Sequence, residues 1–148
     1  MSNFADEIAE TLDGFLITNG FALFEHEGGE KESFCDETFG YKSSIHPFEI
    51  WLTQDRYIQD VDLARCDTKG EYCRFHIETI AALICKHNMD DCLDLCSASQ
   101  FLNKYFNRIC DLFADEAIDE TKEQLRQLRK EYARTKFPKL FDDRKNDY

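Results

Sequence analysis

The middle of the chain alternates apolar and other residues with a period of two. Phe48, Ile50 and Leu52 alternate with residues of an opposite face, and a second alternating run covers residues 57–63. A period of two is typical of a β-strand that buries one face. Three polar residues separate the two runs and suit a tight reversal, so we predict a β-hairpin across residues 48–63.

The residues before this hairpin begin with a helical pattern. Apolar side chains recur three and four positions apart across residues 4–16, which is the spacing of an amphipathic helix. Ser2 or Asn3 is suited to cap the start of this helix, and Gly20 marks its end. We therefore predict one N-terminal helix.

Two further strands are predicted between that helix and the hairpin. The first covers residues 21–26 and the second, with a weaker pattern, lies within residues 34–45. Gly40 interrupts the second strand and is expected to mark a bulge. Residues 27–32 are rich in glycine and glutamate and are expected to connect the two strands as a loop or turn.

The rest of the chain predicts about three helices. Residues 72–87 follow a helical period, and a second helix, capped by Ser97 or Ser99, carries a wide apolar face over residues 101–113. A last helix is expected over residues 115–135, with Asp115 as its cap. The pattern thus turns from strands to helices after the hairpin.

This order of elements predicts an α+β fold. An antiparallel β-meander of about four strands would pack against the N-terminal helix and about three C-terminal helices. The 148 residues show no internal repeat and no linker, so we expect a single domain, 1–148.

Charge is unevenly distributed along the chain. Residues 1–70 contain five Lys/Arg and fifteen Asp/Glu, a net charge of −10, whereas residues 71–148 contribute only −2 of the total of −12. A negative field repels nucleic acids and membrane surfaces and attracts basic proteins. The alternative is that the acidity only keeps the protein in solution. We expect no nucleic acid or membrane as a partner.

Seven cysteines, an odd number, suggest free thiols in a reducing cytoplasm, and no signal peptide is predicted. His87, Cys92 and Cys96 do not have the paired spacing of a zinc ribbon or finger. Buried core thiols are therefore the favoured interpretation, with no cofactor. A cysteine-dependent metal-binding or regulatory domain is the alternative.

No catalytic motif is visible. Cys73 with His76, and Cys35 with His46, are Cys–His pairs without a recognisable nucleophile context, and an acidic chain would raise a thiol pKa. We predict that the protein is not an enzyme.

The outer face of the predicted hairpin carries candidate binding residues. Asp60 and Asp62 share one face of a strand, near Trp51. Three interpretations of these paired carboxylates are open: they bind a divalent metal or perform acid–base chemistry, they merely form an exposed polar strand face, or they contact a basic protein. Only the third interpretation explains the uneven charge of the chain. An exposed tryptophan beside acids would be a binding anchor. The candidate partner-binding residues are Glu25, Asp36, Glu37, Trp51, Asp60 and Asp62.

The same region carries a family resemblance. A glycine-containing strand (residues 38–41), an apolar strand that ends in Asp-Arg (residues 51–56) and an acid-bearing strand (residues 59–63) precede a helix. This order resembles small immunity proteins encoded beside bacterial polymorphic toxins, including those of contact-dependent growth inhibition systems. The resemblance covers roughly residues 20–87, and it departs from the family where Tyr57, not glycine, follows the Asp-Arg pair.

The resemblance implies a cytoplasmic, non-enzymatic protein that binds and neutralises a cognate toxin. Combined with the charge, it predicts a basic toxin, such as a nuclease whose phosphate-binding cleft an acidic surface can fill. We expect a monomer or a weak dimer.

Overall fold

A five-stranded antiparallel sheet forms the centre of the computed structural model, which describes residues 3–29, 36–56 and 58–138. Each strand pairs with its neighbours in chain order, so the sheet is a meander. The strands are β1 (Phe21–Gly28), β2 (Glu37–Ser43), β3 (Glu49–Asp55), β4 (Ile58–Cys66) and β5 (Tyr72–His76). The helices are α1 (Phe4–Thr11), α2 (Asp13–Thr18), α3 (Ile77–Cys85), α4 (Leu95–Leu112) and α5 (Ile118–Lys136). The predicted α+β class is confirmed, with five strands in place of about four.

The predicted central hairpin is confirmed as β3 and β4. Of the three polar residues predicted to form the reversal, Gln54 and Asp55 belong to β3, where Asp55 pairs with Ile58, and Arg56 has a left-handed φ of 59°. Such a φ suits the tight reversal of a hairpin but is unusual for a residue with a side chain. Tyr57 lies outside the described residues.

One face of the sheet builds the core with the helices. Alternate residues of the three middle strands are directed toward the helices, and aromatic side chains from α2 and α4 fill the space above them. These buried strand residues are Phe39, Tyr41, Ile50, Leu52, Val61 and Leu63. This face is therefore closed to any partner. Among the residues that the structure describes, no helix is both long enough and apolar enough to cross a membrane.

The N-terminal helix is divided in two, which differs from the prediction of one helix. The break is at Leu12, whose side chain is fully buried. Just before it, the Thr11 hydroxyl donates a hydrogen bond of 2.7 Å to the Glu7 carbonyl, and Gly14 follows. Both features weaken a continuous helix. Asn3, one of the two predicted caps, accepts the Asp6 N–H at 2.9 Å.

The prediction of a helix across residues 72–87 is wrong in its first part. Tyr72–His76 forms β5, and the helix begins only at Ile77. Phe75 pairs with Leu63 of β4, so this short stretch completes the sheet instead of starting a helix. Over only five residues, the pattern of outward and inward side chains is compatible with the period of a strand and with that of a helix. Pairing with β4 decides in favour of the strand.

The two long helices begin away from their predicted caps. Asp94, not Ser97 or Ser99, caps α4, and its carboxylate accepts the Ser97 N–H at 2.7 Å. Asp115 lies before α5 and forms an ion pair of 3.1 Å with Arg65. An acid near a helix start is thus engaged elsewhere.

Two expectations for the first strands also need correction. The expected bulge lies in β1, where the register shifts between Leu23 and Glu25, opposite Gly40, and not in β2 itself. β1 continues to Gly28, so it includes part of the predicted connection over residues 27–32. The remainder of that connection and the beginning of the predicted second strand lie outside the described residues.

Candidate partner-binding surface

The face of the sheet opposite the helices, called the open face below, collects most of the predicted site residues. Strand pairing places Trp51 directly beside Gly40 on one side and Asp62 on the other. Asp62 is in turn paired with His76. The open face includes Phe24, Glu25, Glu27, Thr38, Gly40, Lys42, Glu49, Trp51, Thr53, Asp60, Asp62, Tyr72, Arg74 and His76.

Trp51 forms the centre of the open face. Its ring lies flat over Gly40, where an added Cβ would meet ring carbons at 2.7 Å. Phe24 contacts the ring edge-on with centroids 5.4 Å apart, and the Arg74 guanidinium lies 4.8 Å above the ring centre. The Trp51 side chain is consequently only 9% exposed. It is covered by neighbours of its own sheet face and is not an exposed anchor.

Hydrogen bonds hold the Trp51 ring in place. Its Nε1–H donates to the Glu49 carboxylate and the Tyr72 hydroxyl, each at 3.0 Å, and that hydroxyl donates to Glu49 at 2.6 Å. Burial, followed by this contact with the carboxylate, raises the pKa of Tyr72 to about 12. The phenol therefore stays neutral and remains a donor at ordinary pH.

Asp62 is buried and already engaged by an arginine and a histidine of β5. Its carboxylate oxygens lie 2.9 Å from Arg74 Nε and 2.8 Å from His76 Nδ1. The hydrogen bond to Asp62 is the main cause that raises the pKa of His76. The predicted pair of acids is therefore unequal, because Asp62 is engaged within the protein.

Asp60 is half-buried on the same face and lies more than 4 Å from any Lys, Arg or His nitrogen in the described ranges. Burial is the main cause that raises its pKa, and neighbouring Asp62 is the second. Glu78 and Asp55 raise the pKa further, whereas His76 lowers it. A cation brought by a partner would therefore stabilise the charged form of this carboxylate.

The other predicted acids lie along the strands toward one end of the sheet. Glu25 is exposed on β1. The carboxylate of Asp36 accepts the Arg56 N–H at 2.8 Å. Glu37 points to the helix side, where it lies 2.7 Å from His26 Nε2. These residues do not share one face, so the predicted set of six is not a single contact patch.

The strand ends nevertheless concentrate negative charge at this end of the sheet, called the acidic end below. A cleft of about 360 Å³ opens there between the end of β1, the start of β2 and the end of β3. Glu27 and Asp55 line it, are exposed, and form no ion pair within the part of the chain that the structure describes. The acidic end comprises Glu27, Asp36, Glu37 and Asp55, which line this cleft, and Asp60, which pairs with Thr53 at its border.

The cysteines differ from their predicted role. Of the six described, only Cys73 is buried, Cys110 is half-buried, and Cys66, Cys85, Cys92 and Cys96 are exposed. Burial raises the pKa of the Cys73, Cys92 and Cys110 thiols, which disfavours the thiolate. Buried core thiols are therefore the exception. Within residues 3–29, 36–56 and 58–138, no group of three or more His, Cys, Asp or Glu side chains could hold a metal ion.

The candidate Cys73–His76 pair is not brought together. Cys73 lies opposite Arg65 on the helix side of β5, whereas His76 is on the open face with Asp62. A helix across residues 72–87 would instead place them one turn apart. Cys35 of the other pair lies outside the described residues.

Sequence reasoning missed the contribution of β5 to the open face. Tyr72, Arg74 and His76 fix Trp51 and Asp62, although the sequence pattern predicts a helix at these three residues. The alternation of Tyr72, Arg74 and His76 with Cys73 and Phe75 was the available signal.

Comparison with known proteins gives no relative for this chain. No family model, no curated protein and no solved structure matches it. The geometry of its own residues must therefore carry any functional argument.

Proposed function

We propose that this chain is a cytoplasmic immunity protein that binds a basic toxin domain through the acidic end of its sheet and thereby excludes the toxin's substrate. The observation that carries the proposal is the unequal state of its acids. Asp62 is neutralised internally, whereas Glu27, Asp55 and Asp60 have no ion pair among the described residues. Unpaired acids at one end of a rigid sheet favour a cationic partner.

The chemistry of Asp60 supports a partner at this end. A half-buried carboxylate with a raised pKa is held in an unfavourable environment for its charge. A lysine or arginine placed beside it would stabilise the charged form. Binding is therefore expected to weaken as pH falls through the raised pKa of Asp60, because the protonated acid no longer attracts the cation.

A rigid platform behind the acids supports fast, specific binding. The bonded group of Trp51, Glu49 and Tyr72 and the Asp62–Arg74 pair fix the neighbouring strands. Little conformational entropy is then lost when a partner docks. A nuclease, whose cleft is basic in order to hold phosphate, is the class of toxin that fits this surface best.

The neighbouring reading frame is expected to encode a large protein with a small C-terminal toxin domain, and this domain is the partner for the test. The variant E27K/D55K reverses two exposed acids of the acidic end. The control D111K/E116K makes the same change in net charge at exposed positions near the α4–α5 connection, away from that end. Co-expression with the toxin domain should permit growth with the wild-type chain and the control.

Loss of protection only in E27K/D55K, with circular dichroism unchanged, would support the proposal. Equal protection by both variants would overturn the assignment of the acidic end. Failure of the wild-type chain to protect, or to bind the purified domain, would overturn the immunity function itself. Reversal of Asp62 is unsuitable for this test because it would remove the partner of Arg74 and His76.

A further inference from the structure

A second groove, on the opposite edge of the sheet from β1, has the reverse charge. Its volume is about 400 Å³, and it lies between β5 and α5. Arg74 on the strand and Arg126, Arg129 and Lys130 on the helix line it. In a chain with a net charge of −12, this grouping of four cations is a local exception.

The groove follows the free edge of β5. Tyr72 and Arg74 belong to the open face of the sheet, whereas Cys73 and Phe75 belong to the helix side, and all four line the groove. A groove that contacts both faces of a strand must run along its edge. Because β5 is the last strand of the described sheet, its outward backbone groups have no strand partner there.

Contacts at two places hold α5 beside this edge. Near its beginning, Lys122 lies 2.5 Å from Asp67 in the β4–β5 connection. Near its end, Tyr132 and Lys136 contact the Asp90 carboxylate at 2.6 and 2.9 Å. The helix thus stands next to β5 between two fixed points, and its intervening turns form the second wall of the groove.

Two of the four cations are not neutralised. Arg74 pairs with Asp62, and Arg126 pairs with Glu71 at 2.5 Å. Arg129 and Lys130 have no ion pair in the described part of the chain. An occupant of the groove is therefore expected to bring negative charge.

The other edge of the sheet is protected in a way that β5 is not. β1 carries a bulge between Leu23 and Glu25, and acidic side chains line its course. A bulge and charges of one sign discourage edge pairing. The β4–β5 register is continuous, and β5 contains no proline. Of the two sheet edges, the β5 edge is therefore the one better suited to pair with an additional strand.

We propose that the β5–α5 groove binds an extended acidic peptide segment of a partner protein, which adds to β5 as a sixth antiparallel or parallel strand. The backbone of the peptide would pair with the outward N–H and C=O groups of β5, and its carboxylates would contact Arg129 and Lys130. A second copy of the chain is disfavoured as occupant, since pairing of two β5 edges would bring like cations together. This inference does not depend on the immunity function.

The test uses the full chain and a nine-residue peptide of alternating Glu and Val. Tyr72 and Arg74 both contact Trp51, the only tryptophan, so its fluorescence reports binding at β5. R129Q/K130Q should weaken binding about tenfold, as expected for two lost exposed ion pairs. K104Q/R108Q, which removes the same charge from exposed positions of α4, should change the affinity less than twofold.

A peptide with alternate backbone nitrogens methylated separates strand addition from simple charge attraction. It keeps every carboxylate but cannot form the strand ladder, and we expect no measurable binding. Equal binding of the methylated peptide, or no effect of R129Q/K130Q, would overturn the proposal. Tighter binding of a short single-stranded RNA with the same dependence on Arg129 and Lys130 would also overturn it. So would self-association of the chain through this groove.

Discussion

Replacement of Gly40 by alanine should destabilise the protein although it adds only one methyl group. The new Cβ would lie 2.7, 2.8 and 3.0 Å from three carbons of the Trp51 ring. Ordinary carbon contacts are about 3.5–4.0 Å, so the ring would have to retreat by roughly 1 Å. That movement would stretch the hydrogen bonds of Nε1 to Glu49 and Tyr72, now 3.0 Å each, toward the limit of a bond.

The expected magnitude combines two opposing effects. Insertion of a methyl group into a packed site costs about 1–3 kcal/mol. Alanine in place of glycine raises the free energy of unfolding by about 0.4–1 kcal/mol, because it reduces the entropy of the unfolded chain. Because Gly40 does not have a positive φ, no backbone strain is added. We therefore expect the free energy of unfolding to fall by about 1–2 kcal/mol.

Urea denaturation followed by the fluorescence of the only tryptophan measures this change at the site itself. G14A is the matched control, because a Cβ at this helical position meets nothing within 4 Å. It should stabilise the protein by about 0.5–1 kcal/mol. In a W51A background, where unfolding is followed by circular dichroism because no tryptophan remains, the cost of G40A should disappear. A G40A protein as stable as the wild type would refute the described packing of Trp51 on Gly40.

Two further predictions concern buried and titrating groups. The Thr79 hydroxyl is buried without a hydrogen-bond partner among the described residues. The variant T79V should therefore leave the free energy of unfolding unchanged or raise it by about 1 kcal/mol. A loss of more than about 1 kcal/mol in urea denaturation would show that the hydroxyl does make a stabilising hydrogen bond. Asp62 raises the pKa of His76. The contribution of the His76–Asp62 pair to the free energy of unfolding should therefore be complete below pH 6.5 and be lost as pH rises through the raised pKa of His76. The difference in unfolding free energy between wild type and H76Q should therefore shrink across that interval, and a constant difference would contradict the ion pair.

Strong periodicity made the fold class and the hairpin predictable. The alternation around Ile50 and Leu52 extends over enough residues to exclude a helix, and the strand pairs confirm it. Five-residue β5 is too short for its period to decide, and only its pairing with β4 does so. The break at Leu12 coincides with the hydrogen bond of the Thr11 hydroxyl to the Glu7 carbonyl and with Gly14, which the period of the apolar residues does not report.

For the candidate site, the sequence pattern predicts the face of the sheet on which a residue lies but not the contacts that its side chain makes. The alternation correctly placed Trp51, Asp60 and Asp62 on one face. Whether these side chains are available to a partner depends on the neighbouring strand β5, where Arg74 and His76 engage the Asp62 carboxylate. These contacts join residues that are distant in the sequence, and a helix predicted over residues 72–87 gives no reason to expect Arg74 and His76 beside Asp62. Exposure of the cysteines likewise depends on tertiary packing.

The rate of association with the proposed partner, a toxin domain encoded by a neighbouring reading frame, is the most direct test of the proposed function. Stopped-flow measurements between about 50 and 500 mM salt should show a wild-type rate that falls steeply with ionic strength. E27K/D55K should associate at least about tenfold more slowly at low salt, whereas D111K/E116K should keep most of the wild-type rate. Identical rates for the two variants, or a wild-type rate independent of salt, would contradict capture of a basic partner by the acidic end.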